Sequence, residues 1–268
     1  MAKVLYEKRD RIAYVTLNRP EVKNAIDNET HDLLWSTWED FRDDDAVDVA
    51  IVTGAGDAFS AGADLKEFIP PWIQGGTARM VRDNVRTGLG GLTRGLHRIE
   101  KPVIAAVNGW ALAGGLETAL ACDIRIASER AMFGSFEARR GYHHGDGGIV
   151  RLVNTCGAGV ALEMLLTAEP IDAQRALRCN LVSRVVAHES LMEEAERTAA
   201  HILRNSQVAV RSAKETILDV IGRPLDDQLR IEALNAYSAP DPEETMGLLQ
   251  RFYDKADAGR AGSHETPL

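Results

Sequence analysis

The chain places an apolar strand, a helix that begins at paired glycines and a second apolar strand in immediate succession. The spacing of apolar side chains predicts strands over 103–107 and 124–127 and a helix over 114–122. Further β-rich runs occur earlier, at 12–17 and 47–53. Strands that alternate with helices predict an α/β fold with a parallel component.

The pattern changes at about residue 189. Beyond this point the sequence carries no strand signal, and its apolar residues recur at helical spacing. The predicted helices cover 191–203, 208–221, 225–237 and 242–253. We therefore expect two parts, an α/β core over 1–188 and a helical region over 189–268.

Charge and composition exclude several classes of partner. The 268 residues carry a net charge of −9, which argues against nucleic acid as a general partner. No uninterrupted apolar run approaches the roughly 20 residues that span a bilayer, and no secretory or transit segment is predicted. The cysteines, Cys122, Cys156 and Cys179, are scattered among apolar neighbours, as reduced thiols are. We therefore expect a cytoplasmic protein that has no membrane partner.

The paired glycines at 114 and 115 suggest an anion site. The first turn of a helix has backbone N–H groups without an intrahelical partner, and the helix dipole adds positive charge there. Because glycine has no Cβ, a ligand oxygen can approach the amide of Gly114 closely. The alternative is that the glycines only allow the helix to pack tightly on the sheet.

A second donor is suggested by the run FSAGADLK at 59–66, where a strand again leads into a turn of small residues. Two amides from separate loops form an oxyanion hole, in which removal of one donor costs roughly 3–4 kcal/mol of transition-state stabilisation. Asp64 in this run is also interpreted as a cap for the turn at 65–68.

Two glutamates are candidate acid–base groups. Glu117 lies three residues after Gly114, so both face the same side of a helix. Burying an acid among apolar neighbours is unfavourable unless it has partners or a function; the alternative is a first-turn glutamate that favours the dipole. Glu137 follows a predicted strand and is either a catalytic group or half of a surface ion pair. Together the two carboxylates can share the roles of base and acid.

The run Tyr142, His143, His144, Gly145 and Asp146 groups several polar side chains. Two histidines near an aspartate are compatible with pocket lining, with a proton relay or with loop residues that bond the backbone. No third ligand at zinc spacing accompanies them, so no metal site is expected.

Most of the chain resembles the crotonase (enoyl-CoA hydratase/isomerase) superfamily. The similar segments are NRPEVKNAID at 18–27, FSAGADLKEF at 59–68, KPVIAAVNGWALAGGLETALACDIRIAS at 101–128, MFGSFEARRG at 132–141, LLTAEPIDAQRALRCNLVSRVV at 165–186 and FYDKADAG at 252–259. The resemblance implies a crotonase-like spiral of ββα repeats that carries the acyl-CoA site over 1–188. It also implies that 189–268 is a helical trimerisation part, giving a homotrimer or a hexamer built from two trimers.

The resemblance assigns roles to individual residues. The amides of Ala63 and Gly114 would hold the thioester oxygen of an acyl-CoA as it becomes an enolate. Glu117 and Glu137 would orient water and move protons at C2 and C3, giving an enoyl-CoA hydratase-like hydro-lyase. Coenzyme A would be part of the substrate, and no separate cofactor is expected. The residues that would contact the substrate or shape its pocket are Lys23, Ala25, Ala61, Asp64, Leu65, Trp110, Tyr142, His143, His144, Asp146, Phe252 and Lys255.

The chain departs from the family pattern beside the second glutamate. Phe136 stands where hydratases of the family usually have proline, and HGDGG at 144–148 replaces a common PGAGG. The alternatives are therefore a carnitinyl-CoA-like dehydratase, an enoyl-CoA isomerase, a β-diketone hydrolase or a non-catalytic acyl-CoA-binding protein. RNA binding, which a relative achieves with a lysine-rich helix, has no counterpart here, because residues 189–197 contain four glutamates and no lysine.

Overall fold

The computed structural model describes residues 2–68, 70 and 78–261 and shows a mixed α/β fold. The strands are β1 (Val4–Arg9), β2 (Ile12–Leu17), β3 (Val49–Gly54), β4 (Ala58–Ser60), β5 (Val103–Val107), β6 (Trp110–Leu112), β7 (Ile124–Ser128), β8 (Met132–Gly134), β9 (Ile171–Asp172) and β10 (Arg184–Val186). They form a six-stranded sheet in the order β1-β2-β3-β5-β7-β10 and a four-stranded sheet in the order β4-β6-β8-β9.

Consecutive strands alternate between the two sheets. β3, β5 and β7 pair in parallel in the larger sheet, while β4, β6 and β8 pair in parallel in the smaller one. Each pair of strands thus adds one strand to each sheet before the chain moves on. The β5–β6 pair is followed by helix Gly114–Ala121. The predicted α/β fold with repeated strand–strand–helix units is confirmed.

The chain forms two compact units, Met1–Leu203 and Arg204–Leu268. The helices of the first are Asn28–Asp43, Ala78–Thr87, Gly114–Ala121, Gly148–Thr167, Ala173–Arg178 and Leu191–Leu203, with short 3-10 turns at Pro20–Val22, Glu137–Arg140 and His188–Ser190. Those of the second are Gln207–Val220, Leu225–Ser238 and Pro242–Ala261. The predicted helical C-terminal region is present, and the first unit extends past residue 188 to include the first of its helices.

The central strands of the larger sheet are buried on both faces, which explains their uninterrupted apolar sequences. Ala105 and Val107 of β5 belong to the core cluster that also contains Leu116 of helix Gly114–Ala121. Ile104 and Ala106 face the opposite cluster, where helix Leu191–Leu203 packs. The helix that starts at the glycine pair is therefore fixed against the sheet by its own apolar residues.

In the described part of the chain, helix Gly148–Thr167 is the one helix that is long and apolar enough to cross a membrane, with a mean hydropathy of 1.5. Length and composition alone are weak evidence, because core helices of globular domains pass the same test. Arg151 and Glu163 interrupt the apolar sequence of this helix. Its Leu152 and Met164 are buried in the core cluster of the first unit, whereas Val150, Leu162 and Leu166 are exposed.

Candidate active site

A cavity of about 660 Å³ opens in the first unit and collects most of the residues selected from the sequence. Its described lining comes from five segments: 19–25, 61–68, 81–94, 112–117 and 136–146. The sequence-selected residues on it are Ala25, Ala61, Ala63, Asp64, Leu65, Gly114, Glu117, Glu137, Tyr142, His143, His144 and Asp146. Residues far apart in the sequence thus meet around one space, as a ligand site requires.

The amide of Ala63 is oriented by its neighbours. Ile26 and Ala63 form a parallel bridge, in which Ile26 N donates to Gly62 O and Asp64 N donates to Ile26 O, both at 2.8 Å. These two bonds use the carbonyl group of Gly62 and the N–H group of Asp64, the neighbours of Ala63 in the chain. The N–H of Ala63 itself therefore points away from Ile26. Within residues 2–68, 70 and 78–261 it has no recorded acceptor.

The Gly114 amide lies beside that of Ala63. A Cβ built on Gly114 would stand 3.3 Å from Ala63 N, and one built on Gly62 would stand 2.5 Å from Gly114 N. Gly62 also has φ +86°, so both the space and the backbone at this position demand glycine. The two amides therefore approach each other because glycines remove every side chain between them.

The residue before Gly114 has an unusual backbone. Ala113 is the N-cap of helix Gly114–Ala121 with φ 52° and ψ −123°, a region that glycine populates far more readily than alanine. These angles set the plane of the peptide that joins Ala113 to Gly114, and hence the direction of the Gly114 N–H. Backbone strain is concentrated at the residue that aims the second amide.

Glu117 and Glu137 are both buried, at 3% and 4% exposure, although they belong to separate elements. Glu117 lies in the first turn of its helix, where Oε1 accepts from Asp146 N at 2.7 Å and from Gly148 N at 2.9 Å. Glu137 starts a 3-10 turn after β8, and its Oε2 accepts from Ser135 Oγ at 3.2 Å. Each carboxylate thus has one oxygen held by the protein around it.

His144 joins the two carboxylates. Its Nδ1 is 2.8 Å from Glu137 Oε1 and 3.2 Å from Glu117 Oε1, and its side chain is fully buried. Both ring nitrogens lack a well-directed hydrogen bond within the described residues. Burial alone lowers the pKa of His144, but the two carboxylates outweigh it and raise the pKa to about 9.

The same three side chains are the group that could hold a metal ion, since one ligand atom of each lies within 4.8 Å of the others. Ligands bonded to one ion at about 2.0–2.2 Å lie roughly 3 Å or more apart. The 2.8 Å between His144 Nδ1 and Glu137 Oε1 is shorter than this and matches the N···O separation of a close ion pair between an imidazolium and a carboxylate. We therefore treat the cluster as one that shares protons.

Asp146 is held by arginines that the sequence did not single out. Its Oδ1 accepts from Arg94 Nη2 at 2.7 Å, and Arg94 also donates to Gly145 O. Arg151 Nη1 donates to Asp146 O at 3.0 Å. Burial and the charge of Glu117 raise the pKa of Asp146, while Arg94 opposes this. Arg94 lies 52 residues from Asp146, and no local motif marks it.

Tyr142 and His143 complete the polar wall of the cavity. Burial and then the charge of Glu137 raise the pKa of Tyr142. His143 is exposed, and its Nδ1 is 2.8 Å from the carbonyl oxygen of His144. Both residues line the cavity, and neither belongs to the buried cluster.

Four sequence-selected residues are not among the described lining of the cavity. Lys23 is exposed and pairs with Asp57 at 2.7 Å. Trp110 lies in β6, between β4 and β8. Phe252 belongs to the second unit and is 67% exposed. The backbone of Lys255 continues helix Pro242–Ala261, while its side chain lies outside the described part of the chain.

Comparison with known proteins gives a consistent result. A sequence model of the family described as "Enoyl-CoA hydratase/isomerase" matches residues 7–259. Crotonyl-CoA hydratase of Syntrophomonas wolfei is 38% identical, with 86% of each chain covered. Short-chain-enoyl-CoA hydratase of Clostridium acetobutylicum is also 38% identical, with 91% of this chain and 92% of that protein covered. The crystal structure of enoyl-CoA hydratase from Bacillus anthracis superposes with a TM-score of 0.85 at 33% identity, covering 95% of this chain and 97% of that one.

Proposed function

Because this chain belongs to the enoyl-CoA hydratase/isomerase family and has an enoyl-CoA hydratase-like function, we propose that its cavity adds water across the 2,3-double bond of an acyl-CoA thioester. The observation that carries the proposal is the convergence of two buried carboxylates, Glu117 and Glu137, beside two adjacent backbone amides. Oriented N–H groups stabilise the oxygen that gains charge, and the carboxylates move protons next to it.

In the proposed reaction the thioester oxygen accepts hydrogen bonds from the Ala63 and Gly114 amides. One carboxylate removes a proton from water as the water oxygen bonds to C3. The double-bond electrons move toward the thioester oxygen, which becomes an enolate. The enolate collapses as C2 takes a proton supplied through the other carboxylate. One water is consumed, C–O and C–H bonds form, and the cluster ends with its original number of protons.

The cavity has two walls. The wall formed by 19–25 and 61–68 carries the basic residues Arg19 and Lys66 and the acidic residues Asp64 and Glu67 among apolar side chains, and Arg19 lies 3.3 Å from Asp64. We assign this wall to the pantetheine and nucleotide of coenzyme A, whose phosphates attract basic groups. The opposite wall, formed by 81–94 and 136–146, would then receive the acyl group. Coenzyme A is part of the substrate in this proposal, and no further cofactor takes part.

The direct test is a panel of enoyl-CoA and 3-hydroxyacyl-CoA thioesters given to the purified protein, with the enone absorbance followed in both directions. We expect a short enoyl-CoA to lose its enone absorbance and yield the 3-hydroxyacyl-CoA. A product with a shifted double bond would indicate an isomerase, and a cleaved carbon–carbon bond a β-diketone hydrolase. Binding of every thioester without turnover would overturn the hydratase proposal and indicate a binding protein.

We also propose that the protein is a homotrimer or a hexamer built from two trimers. Several large apolar side chains are exposed on helix Leu225–Ser238 of the second unit, among them Leu225 at 66%, Leu234 at 64% and Tyr237 at 88%. Apolar surface of this kind is typical of residues that a subunit contact buries. Light scattering after size exclusion should give three or six times the mass of one chain, and a monomer would contradict the proposal.

A further inference from the structure

His144 lies between the two carboxylates of the cluster, where a proton can be stored. Its Nδ1 lies within 3.2 Å of one oxygen from each carboxylate, and no part of its side chain reaches solvent. Two buried carboxylates that face each other repel strongly unless a proton or a cation lies between them. An imidazolium at this position supplies both the positive charge and the proton.

The proposed reaction creates a need for such a group. Water gives its proton to one carboxylate, whereas C2 receives a proton through the other. After one turnover the proton therefore resides on the opposite side of the pair from where it started. Before the next turnover it has to cross between Glu117 and Glu137, and the atom that contacts both is His144 Nδ1.

We propose that His144 is a positioning residue of the reaction: it stores the proton that C2 receives, at a nitrogen facing both carboxylates, and takes up in its place the proton removed from water in the same turnover. This inference rests on the proposed hydration for its role in turnover. The proton travels from Nδ1 to a carboxylate oxygen and then to C2, while the proton taken from water returns to Nδ1. No oxidant or reductant is required, and the cluster has the same composition before and after.

The other titratable and charged groups near the cluster have different positions or partners, so the role of proton store falls to His144. Glu117 and Glu137 contact the imidazole directly. Tyr142 lies close enough for both glutamates to act on it, and burial raises its pKa. Asp146 is paired with Arg94. The Arg151 guanidinium donates to the carbonyl oxygens of Asp146 and Thr93 at 3.0 and 2.7 Å and lies close enough to Glu117 for the two charges to attract, but it does not contact the imidazole.

The first experiment measures the protonation of His144 without any need for turnover. The protein has seven histidines, which can be labelled at Cε1 with carbon-13 and followed by NMR as pH changes; His144→Gln identifies the signal. We expect the ring to stay cationic until about pH 9. Its midpoint should fall by at least about one unit in Glu117→Gln and in Glu137→Gln. A neutral ring at pH 7.5, or a midpoint that neither variant moves, would overturn the proposal.

The second experiment follows the pH profile of hydration in His144→Gln. Glutamine fills similar space but holds no titratable proton, so the alkaline limb of kcat/KM should move to lower pH by about one unit or more. We expect kcat to fall at least about 10-fold while KM changes by less than about 3-fold. His201→Gln, on the exposed side of helix Leu191–Leu203, is the matched control and should keep the wild-type profile.

The two experiments separate the inference from the proposed function. If no thioester is turned over, the hydration proposal fails, while the NMR titration still decides whether His144 holds a proton between the carboxylates. If hydration is observed but His144→Gln keeps the wild-type alkaline limb, the hydration proposal stands and the role of His144 is overturned. Should His144→Gln fail to fold, the wild-type titration, with the signal assigned through Glu117→Gln, gives the answer.

Discussion

The amide of Gly148 donates a hydrogen bond to Glu117 Oε1 at 2.9 Å, so the first residue of helix Gly148–Thr167 is bonded to a buried carboxylate of another helix. The bond brings the positive end of the helix dipole to the carboxylate. It also leaves little space, because a Cβ at residue 148 would stand 2.5 Å from His144 Cγ and 3.0 Å from Glu117 Cγ. The backbone at this position is therefore part of the cluster.

Gly148→Ala should disable the site with little effect on folding. The new methyl group would displace the imidazole and the Glu117 side chain, and a displacement of about 1 Å is enough to reduce turnover by roughly 100-fold. We expect kcat for crotonyl-CoA hydration to fall by a factor of about 10 to 100 while circular dichroism stays unchanged. Gly159→Ala, in the same helix, meets nothing within 4 Å and should keep wild-type turnover. Equal rates in the two variants would contradict the steric argument.

Ala113→Gly should make the protein more stable. Alanine at φ 52° and ψ −123° is strained, whereas glycine adopts these angles freely, and relief of such strain is worth about 1 kcal/mol. We expect the free energy of unfolding in urea to rise by that amount. Ala119→Gly, a buried position inside helix Gly114–Ala121, should instead lower it by about 1–2 kcal/mol. A loss of stability in Ala113→Gly would show that the methyl group packs usefully in the cavity wall.

Stability should fall as pH rises through the range in which His144 loses its proton. The pKa of His144 in the folded protein is raised from 6.5 to about 9, because the attraction of Glu117 and Glu137 outweighs burial. A raised pKa contributes stability that is fully present below about pH 6.5 and is lost as pH passes about 9. The contribution is roughly 3 kcal/mol. Urea unfolding from pH 6 to 10 measures it, with His144→Gln as reference; parallel curves for the two proteins would contradict the assignment.

The sequence predicted the fold well where local pattern and long-range packing agree. Strands 12–17 and 103–107 are found at their predicted limits, because a sheet buried on both faces requires apolar runs of that kind. The glycine pair at 114 and 115 correctly marked the start of a helix. Helix Pro242–Ala261 runs well beyond its predicted end at 253, since charged residues after that point give no apolar periodicity.

The partners of the candidate site were harder to predict. The sequence leaves pocket lining, a proton relay and backbone bonding open for His144, because its place between two carboxylates depends on a loop that returns to helix Gly114–Ala121 over a separation of about 30 residues. Arg94 belongs to no sequence motif, and only the fold brings it to Asp146. Ser135 looks like any loop serine in the sequence, and only the structure shows its hydrogen bond to Glu137. Contacts between residues that are far apart in the sequence leave no periodic pattern in it.

The most direct measurement is crotonyl-CoA hydration by Glu117→Gln and Glu137→Gln, compared with the exposed variant Glu169→Gln. Each glutamine keeps the size of the side chain but cannot exchange a proton, so we expect kcat/KM to fall by at least about 100-fold in both cavity variants. Glu169→Gln, 73% exposed, should retain the wild-type rate. If both cavity variants hydrate crotonyl-CoA as fast as the wild-type protein, the two carboxylates are not the acid–base pair and the proposed reaction is wrong.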